Sequence, residues 1–193
     1  MPPKVKITKD DITNASIEII RKSGAGALNA RSISAVLGSS TQPIFSNFSS
    51  MQELYDAALV RAHKIYQEHV DREALAGKYP EYKAMGMAYI SFAKNERELF
   101  KLLFMRDRSN EPSNNEDGLF NSVVLDVAKN LGISNERAAL FHLKIWTFVH
   151  GIATMIATNY LELDKALISQ MMTDIYQAQK KQEEEQSEFD SNR

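Results

Sequence analysis

A short helix and the start of a long one can be read from residues 37–54, which run LGSSTQPIFSNFSSMQEL. Gly38 suits a left-handed turn at the end of a preceding helix. Pro43 fits the first turn of the next helix, where no amide donor is needed. Ile44 and Phe48 lie four residues apart and therefore share one helix face. Leu37, Gly38, Ser39 and Ser40 form a turn of three or four residues that joins the short helix to the helix before it, which is helix-turn-helix geometry.

Capping residues place four helices in the first part of the chain. Each cap is a side chain that can accept a hydrogen bond from a free amide at a helix start. Ser50 and Glu53 are predicted to form a capping box, in which each side chain binds the other residue's backbone amide. The first helix should end near Gly24 and the fourth near Ala76. The predicted N-caps are Thr8, Asn29, Ser40 and Ser50.

The chain as a whole is predicted to be all-α. Among its 193 residues are only eight glycines and five prolines, and no segment shows the alternating pattern of a strand. Residues at helical spacing predict an apolar core in the first four helices, formed by Ile12, Ala15, Ile19, Ala30, Ile33, Leu37, Ile44, Phe48, Leu54, Ala58, Ala62 and Ile65. Further helices are expected at 82–95, 96–106, 119–131, 134–160 and 163–179, with an exposed loop at 107–117 and a tail that frays from about residue 180.

The composition favours a cytoplasmic protein. There is no cysteine, which fits a reducing compartment. The basic residues at the start run into polar ones, so neither a signal peptide nor a targeting helix is expected. The most apolar run, Ile145–Ala157, contains His150 and is too short to cross a bilayer of about 30 Å. No membrane partner is therefore predicted.

The sequence shows no motif that is typical of an enzyme active site or of a metal site. Its four histidines include no pair at i, i+4 with a nearby acid, which a helical zinc site would need. Glycine-rich phosphate loops and a serine elbow are also absent. We therefore expect no catalytic residues, no metal and no cofactor.

Charge and chemistry at the N-terminal end point to DNA. The first fifty residues include six basic and three acidic ones, although the whole chain has a net charge of −2. In a helix-turn-helix the first turn of the second helix reaches base edges in the major groove, where glutamine can pair with adenine and apolar groups can pack on thymine methyls. The expected base-side residues are Ser40, Thr41, Gln42, Pro43, Ser46 and Asn47, and the expected phosphate contacts are Lys4, Lys6, Lys9 and Arg31.

The segment Gly38–Phe48, followed by Ser50, Glu53 and Leu54, resembles the DNA-binding region of the tetracycline-repressor (TetR) family of transcriptional regulators. The resemblance covers about residues 8–62. Two positions depart from the family's pattern and are expected to face DNA. Phe45 stands where the family often has a tyrosine that holds a phosphate, and Met51 where it often has a lysine.

The resemblance implies an N-terminal helix-turn-helix domain at 1–50 and a helical effector-binding and dimerisation domain at 51–193, connected by a helix at about 51–76. It also implies a homodimer that occupies a palindromic operator as a repressor and is released by a small-molecule effector. One pattern supports a dimer independently. Apolar residues surround nearly the whole helix at 145–157, which predicts burial on two sides, and Gly151 would allow close approach of a second subunit.

Polarizable and aromatic side chains in the second half are candidates for an effector pocket, although such residues are more often ordinary core. The candidate pocket residues are Met85, Tyr89, Phe92, Phe100, Phe104, Trp146, His150 and Met155.

A second hypothesis for the protein is a helical ligand-binding or adaptor protein that keeps this architecture but has lost DNA binding.

Overall fold

The computed structural model describes residues 7–109 and 117–191, and these ranges contain helices and no strand. The all-α prediction is confirmed. The expected phosphate contacts Lys4 and Lys6 lie outside the described residues, as does the middle of the loop expected at 107–117. The helices are α1 Lys9–Ser23, α2 Ala30–Val36, α3 Gln42–Asn47, α4 Met51–Leu75, α5 Glu81–Asn95, α6 Arg97–Phe104, α7 Asp117–Leu131, α8 Asn135–Ala157 and α9 Lys165–Ser191.

The helices fall into two compact units. The N-terminal unit holds the described residues up to Ala76 together with Ser91–Arg106, and the C-terminal unit holds Gly77–Ile90 together with the described residues from Asp107 onward. Helices α1, α4 and α6 pack on one another in the N-terminal unit. The unit that contains the helix-turn-helix therefore extends beyond residue 50.

One apolar core joins the first four helices. Its side chains were predicted to point inward from their helical spacing, and the structure confirms most of them, whereas Ala30, Leu37 and Ile65 are only partly buried. Truncating a fully buried isoleucine or leucine to alanine costs about 2–5 kcal/mol. Burial of this kind fixes α2 and α3, which are too short to be stable alone. The core residues are Ile12, Ala15, Ile19, Ile33, Ile44, Phe48 and Leu54.

Local signals at the ends of α1 and α2 behave as predicted. Thr8 caps α1, because its hydroxyl accepts from the Asp11 amide at 3.1 Å and the Asp11 carboxylate accepts from the Thr8 amide at 2.9 Å. The bond from the Thr8 amide, followed by a bond that the Thr8 hydroxyl donates to the same carboxylate at 2.7 Å, lowers the pKa of Asp11. Asn29 caps α2 by accepting from two backbone amides. Gly38 has a φ of +60°, the left-handed conformation that the turn before α3 requires.

The predicted cap at Ser40 is wrong, because α3 begins only at Gln42. Thr41 precedes the helix with helical backbone angles, φ −75° and ψ −12°, and makes no side-chain capping bond. Its carbonyl accepts from the Ile44 amide at 3.1 Å. Pro43 has no amide hydrogen in the first turn, so one of the donors that a cap would bind is missing.

The start of α4 is capped in a different way from the predicted reciprocal box. The Ser50 hydroxyl accepts from the Glu53 amide at 3.1 Å, as expected. The Glu53 carboxylate, however, accepts from the amide and the hydroxyl of Ser49, both at 2.7 Å, and from the Lys9 ammonium at 3.0 Å. The two bonds from Ser49, followed by the bond from Lys9, lower the pKa of Glu53 to about 2. This network connects the starts of α1 and α4.

In the C-terminal unit, α8 packs against both α7 and α9. One face of α8 is buried, with Phe141 and Ile152 at 0% and 2% exposure, and α9 contributes Ile168 and Met172 to the same interior. By length and composition α8 could also span a membrane, and about a third of its most apolar window is buried in the protein. Core helices of soluble proteins pass the same test of length and composition.

The expectation that the tail frays from residue 180 is wrong, because α9 continues to Ser191. Arg137 on α8 donates to the Glu183 carboxylate at 2.8 Å and to the Glu183 carbonyl at 2.9 Å. The Glu183 side chain is only 12% exposed, so this ion pair is better shielded than a surface pair. Two i, i+4 pairs, Lys180–Glu184 and Lys181–Glu185, add helical support that composition alone did not reveal.

Candidate nucleic-acid interface

The outward face of α3 carries most of the residues expected to read bases. Ile44 and Phe48 are 1% and 3% exposed and anchor this short helix on the core. Their burial turns the opposite side of the helix outward by geometry. The side chains exposed there are Ser40, Thr41, Gln42, Phe45 and Ser46, and Phe45 alone is 55% exposed. The face therefore combines hydrogen-bonding groups with one large apolar ring.

The Asn47 side chain binds two backbone carbonyl groups within the N-terminal unit. Its side-chain amide donates to the Pro43 carbonyl at 2.8 Å and to the Ile7 carbonyl at 3.3 Å. Both amide hydrogens are then used within the protein, so only its oxygen could accept from a base. Pro43 is itself half-buried. Asn47 is placed to hold the segment before α1 against α3.

Basic side chains on this surface are few. Between Lys22 and Glu53, Arg31 is the only charged residue in the sequence. It is exposed near the start of α2. Lys9 lies 3.0 Å from the Glu53 carboxylate and 4.9 Å from the centre of the Phe48 ring, so it is held against the start of α4. A phosphate would have to compete with Glu53 for Lys9.

Met51, which was expected to face the DNA backbone, is half-buried and packs against the apolar core of α1–α4. A thioether has no charge and at most a weak acceptor, so it adds nothing to phosphate binding.

Val36, at the end of α2, was not singled out from the sequence although it is 49% exposed. Helical spacing gave no signal of this exposure, because Val36 lies three residues after the buried Ile33 and would be expected on the same face.

The candidate effector residues divide between the two units. Phe92, Phe100 and Phe104 belong to the N-terminal unit, where Tyr66 packs edge-on against Phe92 and Phe104, each at 5.1 Å between ring centroids. Phe92 and Phe100 are fully buried. These three phenylalanines therefore have the surroundings of ordinary core.

The remaining candidates lie in the C-terminal unit, and three of them are in contact. The Tyr89 hydroxyl lies 2.8 Å from His150 Nδ1, and the Trp146 ring stacks on His150 at 5.1 Å with 10° between the planes. Trp146 is 43% exposed, whereas Tyr89 is buried. Met85 and Met155 are half-buried in the same unit. This Tyr89–His150–Trp146 group is the most polar part of the candidate set.

A second tyrosine–histidine pair, absent from the candidate set, joins α5 and α8. The Tyr82 hydroxyl lies 2.9 Å from His142 Nδ1, and Phe120 packs on the His142 ring at 4.9 Å. Burial lowers the pKa of His142. Burial, and then Tyr176, raise the pKa of Tyr82. His142 is therefore neutral at pH 7.

Lowering the pH should reduce the stability of the folded protein through His142. Because the pKa of His142 is lower in the folded than in the unfolded chain, the unfolded chain binds the proton first as pH falls below about 6.5. We expect the melting temperature to fall more between pH 7.5 and 5.5 in the natural protein than in His142→Gln. Equal falls in the two proteins would contradict this role of His142.

No group of three potential metal ligands occurs within 7–109 and 117–191. The fold of these residues defines an all-α protein with a helix-turn-helix in its N-terminal unit and a second helical unit after it. Residues 82–175 match the family model described as the tetracyclin repressor-like, C-terminal domain. This match places residues 82–175, a little under half of the chain, in the tetracycline-repressor (TetR) family of regulators. This match and the resemblance at about residues 8–62 come from separate parts of the chain. No curated protein matches the sequence.

Proposed function

We propose that this protein is a cytoplasmic, homodimeric DNA-binding transcriptional regulator that represses by occupying a palindromic operator. The observation that carries the proposal is the exposed face of α3, a short helix anchored by Ile44 and Phe48, with Thr41 directly before it and Gln42 in its first turn. The family match in residues 82–175 supports a regulator and not an enzyme. Catalytic residues are no part of the proposal.

The chemistry of α3 suits base reading more than phosphate binding. The Gln42 amide can form a bidentate pair with adenine, and the Phe45 ring can pack on a thymine methyl. Within the described residues, Arg31 near the start of α2 is an exposed charge that can position the unit on the phosphate backbone, and Lys4 and Lys6 remain further candidates from the sequence. Specific contacts should therefore contribute a larger share of the affinity than in a strongly basic relative.

A two-fold dimer is supported by the outer face of α8. Leu140, Leu143 and Trp146 are 43–51% exposed there, and an added Cβ at Gly151 would meet nothing within 4 Å. Apolar groups exposed along one helix favour burial against a partner. A second copy would present two α3 helices about 34 Å apart, one turn of DNA, and so require an inverted-repeat operator.

Release by a small molecule is the regulatory part of the proposal. The Tyr89–His150–Trp146 group offers a polar anchor in a mainly apolar surrounding, which is the usual composition of a ligand site. A ligand changes operator affinity only if it binds one conformation of the dimer better than the other. His150 is the residue proposed to orient the effector.

The proposal is tested by a gel shift with DNA from the flanks of the protein's own gene. A repressor of this type should shift one such fragment at nanomolar concentration and withstand an excess of unrelated DNA. The alternative is a helical ligand-binding or adaptor protein. The sparse charge around α3 and the Lys9–Glu53 ion pair favour that alternative, and it predicts no specific shift at 50 mM salt.

The salt dependence of binding should be shallow and should respond to Met51→Lys. A lysine there can extend its ammonium group from a half-buried stem to a phosphate. One additional phosphate contact steepens the slope of log K against log salt by about 0.9. Fluorescence anisotropy titrations between 50 and 300 mM salt, roughly the range in which the slope is measurable, provide the test. Met51→Gln, which adds no charge, is the control, and equal slopes for the lysine and glutamine variants would place residue 51 away from the DNA.

A further inference from the structure

A polar pocket of about 240 Å³ opens in the N-terminal unit between α1, α4 and the residue before α6. All of its lining residues belong to this one unit. Its charged side chains are Arg21 from α1, Arg61, Glu68 and Arg72 from α4, and Glu96. With three arginines and two glutamates, the lining has a net positive charge. We call it the arginine pocket.

The three guanidinium groups differ in the partners to which they already donate hydrogen bonds. Arg21 donates twice to Glu96, at 2.7 and 2.8 Å, and this pairing raises the pKa of Arg21. Arg61 approaches Glu68 only to 3.9 Å, which is too long for a hydrogen bond. Arg72 donates to the ring of His69 at 3.1 Å. Arg21 is therefore matched by a carboxylate, whereas the hydrogen bond of Arg72 goes to an imidazole.

His69 fixes the position of Arg72. An arginine is only a donor, so Nδ1 of His69 must accept and the ring proton of the neutral imidazole lies on Nε2. His69 is 6% exposed, and its ring packs edge-on against Phe92 at 5.5 Å. The imidazole therefore cannot move away easily, and it holds one donor of Arg72, an exposed residue that lines the pocket.

We propose that the arginine pocket binds a small oxyanion, a carboxylate or phosphate group, through Arg61 and Arg72. The planar fork of a guanidinium matches two oxygens of such a group and gives strong charge-assisted hydrogen bonds. The volume of about 240 Å³ lies below the range of drug-sized ligand sites, so the ligand is a small anion and not an extended molecule. Arg21, already paired with Glu96, forms the wall on the α1 side.

Occupation would have a consequence for the N-terminal unit as a whole. Arg21 lies on α1 and the other two arginines on α4, and both helices also pack around the core that supports α3. An anion between them would stabilise one arrangement of these helices. An effect on operator affinity rests on the proposed function, but binding of the anion does not.

The site is tested with inorganic phosphate and malonate as probes on the full chain at constant ionic strength. We expect a saturable rise in melting temperature and a matching binding isotherm by calorimetry. Arg61→Gln and Arg72→Gln should each weaken the apparent affinity about tenfold, as expected for the loss of one charge-assisted hydrogen bond. Lys64→Gln, which removes an exposed charge from α4 outside the pocket, should leave the affinity unchanged.

Two results would overturn the inference. One is a rise in melting temperature that is equal in the natural protein and both glutamine variants, since that indicates general salt stabilisation. The other is the absence of saturable binding of either probe. If Arg72→Gln fails to fold, Arg61→Gln and Arg72→Lys decide, because lysine keeps the charge but loses the fork and should weaken binding partially. Anion binding without any DNA binding would contradict the proposed function and leave the pocket intact.

Discussion

Replacing Gly151 by leucine should convert the dimer to a monomer and remove operator binding. Within one protomer the first carbon of the new side chain has space, because an added Cβ meets nothing within 4 Å. In a two-fold pair that packs through this face of α8, each subunit would push a leucine against its partner. Overpacking costs about 1–3 kcal/mol at each of two equivalent sites, which weakens dimerisation roughly 30-fold or more.

Light scattering and sedimentation velocity at micromolar concentration measure the change in mass. Gly26→Leu is the matched control, since an added Cβ at Gly26 also meets nothing within 4 Å and this residue lies in the other compact unit. The control protein should remain a dimer. A dimeric Gly151→Leu protein with normal operator affinity would place the subunit interface elsewhere.

Replacing Gln42 by alanine should weaken operator binding about 30-fold or more while leaving stability unchanged. A bidentate glutamine–adenine pair contributes about 1–3 kcal/mol of discrimination, and a dimer makes the contact in both half-sites. The side chain is exposed, and the bond from the Ser46 hydroxyl goes to the backbone carbonyl of residue 42, which the substitution keeps. Anisotropy titrations and a melting curve separate the two effects.

Gln67→Ala is the control for this experiment, because Gln67 is an exposed glutamine of α4 whose amide donates to Asp71 at 2.9 Å. It should retain the affinity of the natural protein. If Gln42→Ala binds the operator as tightly as the control and tolerates the same base changes, the first turn of α3 does not read bases.

Local rules explain which parts of the fold were predictable. The Thr8 cap and the left-handed Gly38 depend on residues within four positions of each other, so the sequence is sufficient to find them. The extended α9 was missed because its support comes from Arg137, 46 positions from Glu183. The start of α3 was misplaced because Pro43 lacks one of the backbone amides that a capping side chain would bind.

The same local rules separate the interface residues that the sequence could predict from those that it could not. The exposed residues of α3 are contiguous in the chain and share one helix face, so a motif reveals them. Lys9 was assigned to phosphates because its partner Glu53 is distant in sequence. The arginine pocket draws on positions from 21 to 96, and no spacing rule relates them. Packing between helices brings such residues together, and this packing cannot be predicted from the sequence of any one helix.

Hydroxyl-radical footprinting of the natural protein on its bound DNA fragment tests the central claim most directly. If two copies of α3 enter successive major grooves, two protected patches should appear with centres about 34 Å apart, arranged symmetrically over an inverted repeat. A single protected patch, or protection independent of any repeat, would contradict paired reading by α3.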